Sequence, residues 1–204
     1  MKSARMFCLF LVAGISTVAM AQAGSAAKAA PQAQASPQQP ATIASVVDAQ
    51  INTIEREFVS AAEAMPEDKY NFTPTSLNIS GSDYKGVKTF AAQVKHVATV
   101  NYILWGMLVG EKPPVNDDDG PPSMTSKADI VKYLKDSFAL GHRAAKTLTA
   151  ENATQTLPSP FGSGQIARLY CGTFSVAHAF DHYGQVVEYL RMNGIVPPAS
   201  RRNN

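Results

Sequence analysis

Four long stretches of this chain place apolar residues three and four positions apart, and nothing between them alternates long enough to suggest a sheet. The first runs from Thr42 to Ala64, with Ile43, Val46, Val47, Ile51, Ile54, Phe58 and Ala61/Ala62 recurring along it, and Met65-Pro66 closes it. The second runs from Val87 to Val109, with Phe90, Val94, Val97, Asn101, Leu104 and Leu108 on one stripe. The third opens near Ser126, an N-cap with Asp129 three residues on, and carries Ile130, Tyr133, Leu134, Phe138 and Leu148. The fourth opens near Ser163 and stops at Asn193-Gly194, ahead of Pro197-Pro198. The connections over 70–85 and 112–125 hold Pro74, Gly81, Pro113, Pro114, Gly120, Pro121 and Pro122, which cannot be helical throughout. The pattern predicts an all-α protein, an antiparallel four-helix bundle whose long second and third connections allow a crossover.

The bundle does not begin at the start of the chain. Lys2 and Arg5 precede an apolar run from Met6 to Ala19, and Ala19-Met20-Ala21 then supplies small residues where signal peptidase requires them. Residues 1–21 read as a signal peptide cleaved before Gln22, because the run is shorter than the roughly 20 residues of a membrane span. Residues 22–41 are mostly Ala, Gln, Pro and Ser and offer nothing large and apolar to bury, which predicts a flexible linker. Residues 42–200 then form one domain. The expectation is an exported protein, periplasmic or secreted, with no stable membrane span once the leader is removed.

Removing residues 1–21 takes Lys2 and Arg5 with it and leaves 16 basic and 16 acidic side chains. A neutral mature chain carries no electrostatic footprint for nucleic acid or an anionic membrane. Cys8 leaves with the leader, so Cys171 remains alone and the fold must stand on its hydrophobic core. Cys171 itself reads as a small buried hydrophobe.

The chemistry-bearing residues are the histidines. His178 and His182 lie four apart in the fourth segment, on one helical face and one turn apart, where two imidazoles can chelate one divalent ion. A third ligand has to come from another helix, and His96 lies in the middle of the second. The plainer alternative is a set of hydrogen-bonded core or surface histidines. The surroundings favour the pair as ligands, because the fourth helix is apolar on two sides and buried imidazoles need partners. Several metal and catalytic schemes fail outright. The residues between the pair are Ala179, Phe180 and Asp181, so there is no H-E-x-x-H base, and there is no Glu-x-x-His pair, C-x-x-C-H, G-x-S-x-G or phosphate-cradling glycine loop.

His96 within KHVATVNYILW, AAEAMPEDKYNFTP after the first helix, and the run H178-x-x-x-H182-Y-G-Q185 followed by YLRMNGIVPP resemble the DinB/YfiT-like proteins over about residues 42–198. The resemblance implies an up-down-down-up four-helix bundle, often a homodimer. It also implies a divalent metal, commonly zinc or nickel, on His96, His178 and His182. Family members of known chemistry are transferases or isomerases that use low-molecular-weight thiols in the cytoplasm, a pool an exported protein does not ordinarily meet.

Two functional readings follow. One is a metal-dependent hydrolase or transferase with open coordination for water or an unidentified small-molecule substrate. The other is a non-catalytic metal-binding or interaction module of the cell envelope. No catalytic acid or base stands out. Asp181 points about 100° away from His182 on the helix and reads as a helix-surface or interface acid. Cys171 faces the side of His178 but lies about 10.5 Å away along the axis. Tyr102, Trp105 and Tyr183 read as packing residues. Gln185 reads as a support for the ligands or a close helix contact beside Gly184. His142 reads as a surface or satisfied histidine, and Asp117-Asp118-Asp119 as a solvated loop rather than a cation site.

Overall fold

The computed structural model describes residues 40–115 and 117–201. The predicted signal peptide and nearly all of the predicted linker lie outside that range. Four helices carry the fold: α1 (Ile43–Ala64), α2 (Phe90–Val109), α3 (Lys127–Ala145) and α4 (Arg168–Met192). Three of the four starts follow local capping chemistry. Thr42 and Ser45 form a reciprocal capping box on α1, Thr89 accepts from the Ala92 N–H on α2, and Ser126 accepts from the Asp129 N–H on α3. Gly110 ends α2 in the left-handed conformation at φ 75°, with its N–H bonded to the Gly106 carbonyl.

Two boundaries differ from the sequence expectation. Leu148 is buried but lies beyond α3, which ends at Ala145. The fourth helix starts at Arg168, not near Ser163, because residues 156–167 form a short antiparallel hairpin of β1 (Thr156–Pro158) and β2 (Gln165–Ala167). Gly162 and Gly164, at φ 120° and 114°, turn the hairpin in backbone conformations that exclude a helix.

The helix pairs that touch reveal the topology. α2 packs against α3 and α4, and α1 packs against the same two, while α1 and α2 meet only marginally. Along α2 the partners on α4 run backwards: Tyr189 bonds Lys88, Gln185 bonds Gln93, His178 meets His96, and Gly172 accepts from Trp105. Those helices are antiparallel. Partners on α3 instead run forwards, with Tyr133 on Thr99 and Ser137 on Asn101, so α2 and α3 are parallel. α1 and α3 are antiparallel, since Asp48 meets His142 and Glu63 meets Lys135. α1 and α4 are parallel, with Val47 against Gly172 and Phe58 against Tyr183. The order is up-down-down-up.

Parallel α2 and α3 require the chain between them to return along α2. A 20-residue helix spans about 30 Å, and 17 residues of extended chain reach further than that at roughly 3.3 Å each. The crossover therefore lies in the second connection, and it passes directly over the middle of α2. Lys95 Nζ fastens it there through the Pro121 and Met124 carbonyls at 3.1 and 3.4 Å. Gly120, at φ 74°, permits the contact, because a Cβ there would stand 2.9 Å from Lys95 Cβ.

Trp105, Phe58, Phe90, Phe138, Ile51, Ile54 and Leu134 are fully buried between the helices, and Cys171 is buried with them. Burial pushes the Cys171 thiol up, which fits an inert core residue. Asn101 is also fully buried and donates to Ser137 Oγ at 3.1 Å, linking α2 to α3. None of the described helices is long and apolar enough to cross a membrane.

His142 is not a free surface residue. Its Nδ1 lies 2.7 Å from Asp48 and its Nε2 2.9 Å from Glu55, so the ring ties α3 to α1. Burial favours the neutral ring, but hydrogen bonds to the two carboxylates outweigh it and raise the pKa above 6.5. A raised value means that this tie contributes fully below about pH 6.5 and is lost as pH rises through the folded value. We expect His142→Gln to lower stability at pH 5.5 by roughly 0.5–1 kcal/mol, the range for a partly exposed ion pair. At pH 8.5 the loss is smaller, and urea melts of both proteins at the two pH values measure the difference.

Candidate metal centre

α2 and α4 lie antiparallel and in contact, which brings the middle of one against the middle of the other. His96 from α2 and His178 and His182 from α4 meet there, with one ring nitrogen from each within 4.8 Å of the other two. Ring centroids stand 4.5–4.9 Å apart, and His96 Nε2 is 3.0 Å from His178 Nε2. His96 is buried at 8% exposure, whereas His178 and His182 are half-buried, so the cluster is closed on the α2 side and open on the α4 side. All three residues expected from the sequence are brought together.

The donors suit a cation. Burial, and then the neighbouring imidazoles, lower the pKa of His178 to about 3 and that of His182 to about 4. Both rings are therefore neutral at pH 7, the form a metal requires. Two nitrogens held about 2.0–2.1 Å from one ion stand roughly 2.9–3.4 Å apart, for angles from square to tetrahedral. The 3.0 Å between His96 and His178 falls inside that range. Among the described residues no carboxylate joins the three nitrogens, so the ligand set is neutral.

Two of the rings are oriented from behind, as metal-binding histidines usually are. His96 Nδ1 donates to the Asp118 backbone carbonyl at 2.7 Å, which leaves Nε2 as a lone pair facing the cluster. His182 Nδ1 meets Oε1 of Gln93, a glutamine only 3% exposed and one turn before His96 on α2. Gln93 Nε2 in turn donates to Gln185 Oε1 at 2.8 Å. His178 differs, since its Nδ1 is buried with no hydrogen-bond partner among the described residues. Nothing selects its tautomer except the cluster. In the metal-free chain its Nε2–H donates to the His96 lone pair, and Phe174, at 6.1 Å between centroids, flanks the ring.

The acidic run 117–119 is the solvent-exposed loop expected from the sequence, and it is also part of this arrangement. The crossover lays Asp118 over His96, and Lys88 pairs with the carboxylates of Asp118, at 3.0 Å, and Asp119. Burial works against ionising Asp118, yet Lys88 and the nearby histidines hold its carboxyl below the usual carboxylate range. Gln185 reaches the cluster through Gln93, which it holds by a hydrogen bond behind His182. Gly184 is not a close helix contact, for it is exposed with open space around its Cα.

The sequence model of the DinB superfamily matches residues 50–186, more than half of the chain and a span that contains all three histidines. The chain belongs to the DinB superfamily. Its bundle is thus a DinB bundle, and its three histidines can hold a metal ion. No curated protein matches this DinB chain significantly.

Proposed function

We propose that this DinB protein is an exported, divalent-metal-dependent enzyme of hydrolase or transferase type. His96, His178 and His182 hold the metal, with zinc or nickel as the expected ions. The observation that carries the reading is the convergence of three imidazoles, two of them pushed well below pH 7 and two turned inward by hydrogen bonds from behind. A divalent ion on three neutral donors keeps its charge for whatever occupies its open positions, where it acidifies a water or polarises a substrate group. The chain's own contribution is to fix the donors. The Asp118 carbonyl holds the proton of His96 on Nδ1, Gln93 does the same for His182, and burial keeps His178 uncharged. Export rests on the leader pattern of residues 1–21, and it argues against the cytoplasmic thiol pool as the source of substrate.

One observation favours a second reading, a non-catalytic metal-binding module. Among the described residues the cluster includes no carboxylate, and two acids nearby are engaged elsewhere, Asp118 behind His96 and Asp181 on Gln185. A panel of ester, amide and thiol substrates, run with zinc- and nickel-loaded protein, separates the two. The enzymatic reading expects turnover that disappears in His178→Ala. Bound metal with no turnover across the panel favours the module.

A further inference from the structure

Asp181 sits immediately before His182 on α4, exposed to solvent, with its carboxylate on Gln185 one helical turn later. Gln185 Nε2 donates to Asp181 Oδ2 at 3.2 Å, and Gln93 Nε2 donates to Gln185 Oε1 at 2.8 Å. Gln93 Oε1 meets His182 Nδ1. These contacts make a continuous line from a surface acid to a buried imidazole. A side-chain amide offers N–H at one end and C=O at the other, so two amides in series can run in either direction. The direction is decided at the end of the line.

An ionised carboxylate only accepts. Gln185 must therefore turn its nitrogen to Asp181, which leaves its oxygen for Gln93. Gln93 must then turn its nitrogen to Gln185 and its oxygen to His182. That oxygen accepts, so the His182 proton resides on Nδ1 and Nε2 is a lone pair for the cluster. Run the other way, the line would set the Gln93 N–H against Nδ1 and place the His182 proton on Nε2, where it blocks coordination. At His96 the same selection is made by a backbone carbonyl, whose polarity is fixed by the chain itself. At His182 it depends on side chains: on Asp181, three hydrogen bonds away, and on the Tyr189 hydroxyl, which donates to the Lys88 carbonyl and offers its oxygen to the Gln93 amide.

We propose that Asp181 is a positioning residue that, through Gln185 and Gln93, selects the metal-competent tautomer of His182. The proposal rests on the three-histidine metal reading above. It assigns to Asp181 a role different from that of the helix-surface or interface acid read from the sequence. Asp181→Asn is the informative variant, because an amide at this position can face Gln185 by either end and no longer sets a direction. Asp181→Glu restores an acceptor-only group.

The test uses purified protein with 15N-labelled histidine. Long-range proton–nitrogen spectra of the metal-free chain report which ring nitrogen of His182 carries the proton, and zinc titration gives the affinity. In wild type and Asp181→Glu, His182 is expected as the Nδ1–H tautomer. In Asp181→Asn it becomes a mixture, with zinc affinity lowered about tenfold, the lower end for partners of metal-bound histidines. The melting temperature of the metal-free protein should stay within about 2 °C, as expected for an exposed position. A single Nδ1–H tautomer in Asp181→Asn, or an unchanged zinc affinity, overturns the proposal. A wild type that takes up no zinc overturns the metal reading instead, and the metal-free spectra still decide whether Asp181 sets the tautomer.

Discussion

Replacing His178 by alanine is expected to lower zinc affinity by roughly 100- to 1,000-fold, because a site of three imidazoles becomes one of two. Structural zinc sites bind with about 10–16 kcal/mol over four ligands, or roughly 2.5–4 kcal/mol for each. The loss should be specific to the metal. His178 Nδ1 has no partner, and its hydrogen bond to His96 is the only one its ring makes among the described residues, so the metal-free fold gives up little. At a free zinc concentration about 100 times the wild-type dissociation constant, binding stabilises the wild type by about 2.7 kcal/mol. For a domain of this size that is a rise of roughly 5–10 °C in melting temperature. The rise should vanish in His178→Ala while the metal-free values stay close. Calorimetric titration and thermal melts with and without zinc check both halves. A variant that keeps the zinc-induced rise would place the metal elsewhere.

The second large effect is on acid stability, and its sign is opposite to that at His142. Folding holds His178 and His182 neutral, at about 3 and about 4, against an ordinary value near 6.5. Between those limits the unfolded chain binds more protons than the folded one, so stability falls as pH falls. The contribution is complete above about pH 6.5 and is lost as the pH drops towards the two folded values. Each ring fully excluded from water would contribute about 1.4 kcal/mol per pH unit. Both rings are partly open to solvent, and halving the figure for that leaves a loss of roughly 2 kcal/mol between pH 6.5 and pH 5. Urea melts of the metal-free protein at the two values measure it, and a double His178→Gln, His182→Gln variant should lose most of the slope. A slope that persists in the double variant would assign the acid sensitivity to other groups.

Much of this site was visible in the sequence because helices carry information in their period. His178 and His182 share a face whatever the tertiary structure, and the stripe of Phe90, Val94, Val97 and Leu104 marks α2 as buried. That His96 faces the pair depends on α2 and α4 being antiparallel neighbours, and this came from resemblance, not from spacing. Gln93 carries a signal of its own: a glutamine one turn before a candidate ligand, on a helix whose buried positions are mostly apolar. Asp118 left none. Its carbonyl reaches His96 only because the crossover doubles back over α2, and Lys95 and Gly120, which hold it there, read locally as a surface lysine and a loop glycine.

The start of α4 is hidden from the sequence for a related reason. Ala167 makes no side-chain cap, so Ser163 offered the better local signal, and strands of three residues are too short to show alternation. His142 could be read as satisfied but not as doubly paired, since Asp48 and Glu55 reach it from α1 across the bundle. In each of these cases the missing information was a contact between segments far apart in the chain.

The proposed centre is one cation shared between α2 and α4, and the most direct measurement is metal content by mass spectrometry of the native protein after loading with zinc or nickel. Wild type should carry close to one ion per chain, and His96→Ala, which leaves the α4 pair intact, should lose it under the same conditions. Wild-type protein without metal after loading with either ion, or a His96→Ala variant that retains a full equivalent, would contradict the three-histidine centre.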